Sequence, residues 1–74
     1  MGKLRVMSGK EVRDVLERHG FSEVRRRDSH IVMQRVGNDR STTTVPVPDH
    51  REVKKGALQS IIRQSSVPRS EFES

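Results

Sequence analysis

Seventy-four residues with 30% apolar and 3% aromatic side chains allow one domain, residues 1–74, with a thin core, and the absence of cysteine excludes disulfides and thiolate metal sites. The net charge is +5, and residues 24–63 hold nine basic and four acidic side chains, the whole of that excess. A localised basic region points to an anionic partner, most often nucleic acid, although a solvated basic surface accounts for charge alone equally well. No apolar run approaches the roughly 20 residues that span a bilayer, and the stretch MGKLRVMSGK lacks the apolar segment of a signal peptide. The chain therefore reads as cytoplasmic, with no membrane contact.

The first predicted element is a helix over about residues 9–19. Ser8-Gly9-Lys10-Glu11 has the spacing of a capping box. Val12, Val15, Leu16 and His19 then recur at helical spacing, and Gly20 supplies the left-handed position that ends the helix. Ser22 to Arg27 can form a strand with Val24 as its main inward residue. His30 to Arg35 is a better strand, because Ile31 and Met33 alternate with His30, Val32 and Gln34. Gly37-Asn38-Asp39 signals a turn. Ser41 to Val47 follows as a third strand, with Thr43, Val45 and Val47 on one face. Pro46 either ends that strand or places it at an edge. A second helix carries Leu58, Ile61 and Ile62, with Gly56 near its start, and Phe72 anchors a short final turn.

The order is α-β-β-β-α. Three antiparallel strands on short turns put both helices on one face of the sheet and leave the other face open, an α+β arrangement. Double-stranded-RNA-binding domains have the same order, an analogy at the level of fold.

The open face carries the candidate chemistry. If Ile31 and Met33 turn inward, His30 turns outward, where an imidazole can move a proton at neutral pH. An ordinary exposed strand histidine explains the same spacing. RNA cleavage suits the inventory, because the 2′-hydroxyl is the nucleophile and the protein need supply only proton transfer and cations over the phosphate. Arg25, Arg26 and Arg27 are candidates for the cations, but alternation sends Arg26 to the face opposite Arg25 and Arg27. A solvated strand surface explains any one of them as well. Lys54 and Lys55 stand just before or at the start of the second helix, where an anion is favoured; a helix that starts earlier would make them plain surface residues. His50, in the loop after Pro48-Asp49, is a second proton carrier, an RNA contact or simply an exposed loop residue. His19 needs no role beyond facing the helix dipole. With no thiolates and no close His pair, no metal site is expected.

Taken together, SGKEVRDVLERHGF, SHIVMQR and TTTVPVPDHREVKKGALQSIIRQSSVPRSEF resemble the HicA (YcfA-like) mRNA interferase toxins, over about Ser8 to Phe72. The resemblance implies a double-stranded-RNA-binding-like fold and a metal-independent ribonuclease without cofactor. Its substrate would be mRNA, and a HicB antitoxin would cover the active face. The family's catalytic histidine falls on His30. Arg26, Ser29, His50, Lys54 and Lys55 are the phosphate- and RNA-binding candidates beside it. One departure is Asp28, where the family usually has glycine. The alternatives from other classes are a non-catalytic RNA-binding module of the same fold and a subunit whose only task is to bind a partner.

Overall fold

The computed structural model describes residues 2–74. Helix α1 spans Gly9–Arg18. At its start the Ser8 hydroxyl accepts the Glu11 N–H at 3.1 Å and the Glu11 carboxylate accepts the Ser8 N–H at 2.8 Å, the expected capping box. At its end Gly20 has φ +90°. The Gly20 N–H donates to Glu17 O at 3.2 Å and the Phe21 N–H to Leu16 O at 3.1 Å. These two bonds form a Schellman motif and turn Phe21 into the core.

Strands β1 (Ser22–Arg27), β2 (His30–Val36) and β3 (Thr42–Pro48) make one antiparallel sheet in that order. Helix α2 (Lys55–Ser65) and a 3-10 turn, Arg69–Phe72, complete the chain, so the predicted α-β-β-β-α architecture is the observed one. Ile31 and Met33 of β2 and Val45 and Val47 of β3 join Val12, Val15 and Leu16 of α1 and Leu58 and Ile61 of α2 in one core cluster. Both helices thus cover the same face. Met7, Val53 and Val67, which helix and strand periodicity does not flag, are also buried there.

Val24 departs from expectation. It is 48% exposed, because the register steps from Glu23 opposite Met33 to Arg25 opposite Val32 and leaves Val24 as the extra residue of a β-bulge. The bulge and the arginine run together discourage another strand from pairing with this edge. The opposite edge is guarded differently. The Asp49 N–H donates to Ser29 O at 2.6 Å, so the odd-numbered residues of β3 face β2. Pro46 and Pro48 therefore face outward, where a missing N–H breaks no ladder bond.

Two residues tie the layers together. Arg35 donates to His19 O and to Ser65 O, each at 3.0 Å, and so caps the C-terminal ends of both helices. Its guanidinium also lies 4.5 Å from the centre of the Phe21 ring. Gly9 sits where the β3–α2 connection crosses α1. Its N–H donates to His50 O at 2.9 Å, and a Cβ there would stand 2.2 Å from Pro48 O. Gly9→Ala is therefore expected to destabilise the fold by about 1–3 kcal/mol through overpacking, read as a lower urea midpoint with an unchanged m-value.

Candidate active site

The site begins with the β1–β2 hairpin. Its loop is only Asp28–Ser29, so Arg27 lies directly opposite His30. Asp28 has φ +55° while Ser29 stays at negative φ, the pattern of a type II′ turn, whose first loop position favours glycine. Asp28 thus adopts a conformation that a glycine would reach without steric penalty.

From that pairing the open face follows by alternation. Arg27 and His30 share it; Arg25 lies across from Val32, and Val32 from Pro46. These residues, with Asp28 and Thr44, line a pocket of about 370 Å³. Val32 is only 7% exposed although it belongs to the uncovered face, so it forms an apolar floor beneath His30 and the two arginines. The Thr44 hydroxyl accepts from the Gln34 side-chain amide at 3.2 Å beside it. Among the described residues the His19 ring is tied to Glu71 at 3.2 Å, whereas the His30 ring has no side-chain partner and is exposed. Its nitrogens are open to a ligand in the pocket.

The other candidates are distributed differently. Arg26 lies opposite Ile31 on the helix side of the sheet. There it is bonded to the Asp49 carboxylate and stands 3.9 Å from Glu23, so it does not meet His30. Ser29 is exposed in the hairpin loop, with its carbonyl holding Asp49. His50 is exposed just beyond the end of β3, its carbonyl used by Gly9. Lys54 is the N-cap of α2, with no side-chain cap bond, and Lys55 is the first helical residue. Lys55 lines a separate groove with Lys3, Arg5 and Arg69. The structure therefore gathers His30 with Arg25, Arg27 and Asp28, and leaves Arg26, His50, Lys54 and Lys55 outside that pocket. Arg25 and Arg27 could have been favoured over Arg26 from sequence. A two-residue loop between strands ending at 27 and starting at 30 fixes which arginines share the histidine's face.

No group of three or more His, Asp or Glu side chains among the described residues is arranged to share a metal ion. No helix among them is long and apolar enough to cross a membrane.

In comparisons with known proteins, a family model described as the HicA toxin of bacterial toxin–antitoxin systems matches residues 9–67. No curated protein and no solved structure matches. The likeness to double-stranded-RNA-binding domains accordingly rests on element order alone.

Proposed function

The chain belongs to the HicA toxin family of bacterial toxin–antitoxin systems, and on that premise we propose that it is a metal-independent endoribonuclease that cuts mRNA and so arrests translation. A toxin of such a system has an antitoxin partner; the partner proposed here is a HicB-like protein that covers the open sheet face, and the compartment is the cytoplasm. The observation that carries the reading is the shared pocket of His30, Arg25 and Arg27 on the uncovered face of the sheet.

In this mechanism the strand of RNA lies over the Val32 floor with a phosphate between the two guanidinium groups. The His30 imidazole takes the proton from the 2′-hydroxyl, and the 2′ oxygen attacks the adjacent phosphorus. Arg25 and Arg27 offset the added negative charge as the five-coordinate phosphorane forms. The P–O5′ bond breaks, and the imidazolium hands the proton to the departing 5′ oxygen. The products are a 2′,3′-cyclic phosphate and a free 5′-hydroxyl, with no water consumed. Single-stranded RNA is the preferred substrate, because a flexible backbone can reach the in-line geometry of attack. Asp28 sits at the rim of the same pocket, where its negative charge opposes phosphate binding and moderates the attraction of the arginines.

The arginines provide the test. Arg25→Ala/Arg27→Ala is expected to lower kcat/KM for RNA cleavage by about 10²-fold or more, the scale of losing charge stabilisation in a transition state. Arg26→Ala is expected to change it by less than about threefold, because that side chain faces the helices and a surface ion pair contributes about 1 kcal/mol or less. Equal losses from both variants would contradict the assignment of faces. RNA that is bound with steep salt dependence but left intact by the parent protein would instead identify a binding module.

A further inference from the structure

Residues 3–5 and 72–74, all outside the span matched by the family model, pair with one another. Leu4 bridges Glu73, the Arg5 N–H donates to Phe72 O at 2.8 Å, and the Ser74 N–H donates to Lys3 O at 3.0 Å. Residues 2–6, held in place by this pairing, form one wall of a groove of about 450 Å³, and the start of α2 forms the other. The groove shares no lining residue with the His30 pocket. Its rim carries Lys3, Arg5, Lys55 and Arg69 against one carboxylate, Glu52, and its floor includes the buried Val53 and Leu58. Arg69 is bonded to Glu73 at 2.8 Å, while among the described residues no carboxylate lies within ion-pair distance of Lys3, Arg5 or Lys55. Val6 stands at the groove's edge, 77% exposed.

We propose that this groove is a second binding subsite for single-stranded RNA, gripping backbone phosphates away from the scissile bond. The proposal rests on the RNA-cleaving reading for the identity of its ligand. Two features favour a nucleotide chain. Unpaired cations around an apolar floor match a nucleotide, which presents a phosphate and the face of a base together. The two sites are also within reach of one strand. Pro48 lies opposite His30, and residues 49–54 lead from it to Lys55, so these two points are at most about 25 Å apart. In this proposal a strand held at His30 runs on into the groove, where cations raise affinity for longer substrates without touching the reacting phosphate.

The experiment measures the salt dependence of binding to a labelled single-stranded RNA of about 12 nucleotides, with every protein in a His30→Ala background so that no RNA is consumed. Lys3→Gln/Arg5→Gln is expected to make the slope of log K against log salt shallower by about 1.4, for two lost phosphate contacts on a single strand. Arg18→Gln/Arg63→Gln removes the same charge from exposed positions outside the groove and is expected to keep the parental slope. A groove variant with the parental slope, or a control with the same change in slope, overturns the subsite. Displacement of the RNA by oligoglutamate of equal charge at equal concentration overturns the choice of RNA in favour of an acidic protein segment. Because binding is read without cleavage, the outcome is independent of whether the parent protein cuts RNA.

Discussion

His30→Ala is expected to lower RNA cleavage by about 10²- to 10⁴-fold, the contribution of a positioned acid–base group, equivalent to roughly 3–5 kcal/mol of transition-state stabilisation. The expectation follows from placement. His30 is exposed at the start of β2, on the face that neither helix covers, between Arg27 across the hairpin and Pro48 on β3. It is exposed and is not a member of the core cluster, so truncation is expected to remove the imidazole without opening a cavity. The thermal midpoint should therefore stay within about 2–3 °C of the parent, as for a surface substitution of about 0.5 kcal/mol or less. Loss of cleavage together with a large loss of stability would assign His30 to the fold; unchanged cleavage with unchanged stability would remove it from the chemistry. His50→Ala separates the two exposed histidines. His50 lies outside the pocket and contributes its backbone carbonyl to Gly9, so its side chain is expected to matter less than tenfold, within about 1.4 kcal/mol.

The second large effect concerns stability. Phe72→Ala is expected to destabilise the fold by about 3–5 kcal/mol. Phe72 is fully buried and joins the core cluster from the 3-10 turn, where it packs below α1. A domain of this length has a total stability of roughly 4–11 kcal/mol, and about 1 kcal/mol shifts the midpoint of so small a domain by roughly 4–8 °C. The variant should melt at least 12 °C below the parent, at about 4 °C for each of 3 kcal/mol, or fail to fold. Phe72→Leu, which keeps most of the volume, should lose about 1.5 kcal/mol or less. A shift under about 4 °C for the alanine variant would mean that residues 69–74 are only loosely docked and that the groove they help to form is not a fixed feature.

Much of the fold was readable because local chemistry and tertiary structure agree. Ser8 with Glu11 caps α1, Gly20 ends it, and Ile31 and Met33 announce the buried face of β2; each signal lies within a few residues and needs no partner to be interpreted. Val24 was not readable in the same way. Its orientation depends on a bulge, which is a property of how two strands align and leaves no mark in one strand's alternation. The candidate site divides along the same line. That His30 faces outward follows from the period of β2. Which arginines join it depends on the register across the Asp28–Ser29 loop, two residues that a strand-by-strand reading treats separately. Lys54 and Lys55 lie beyond local inference altogether. Whether the start of α2 opens toward the His30 pocket or toward the clasp of residues 3–5 and 72–74 is set by packing over the whole chain. Met7, Val53 and Val67 are buried for the same reason, lying in connections that fold over the core without a period of their own.

Asp28 links the conformational and chemical parts of the account. The hairpin needs a residue that tolerates positive φ, and aspartate is among the side chains that do so more readily than most. The turn is therefore kept, while a carboxylate lines the pocket proposed to hold phosphate.

The central claim is that this pocket cuts RNA by transesterification through the 2′ oxygen. Its most direct measurement is the chemistry of the new ends when a defined single-stranded RNA is incubated with the protein in EDTA. The account predicts fragments ending in a 2′,3′-cyclic phosphate, paired with free 5′-hydroxyls, that disappear with His30→Ala and with a 2′-deoxy substitution at the cut site. Intact RNA at high protein concentration, or fragments bearing 3′-hydroxyl and 5′-phosphate ends, would contradict it.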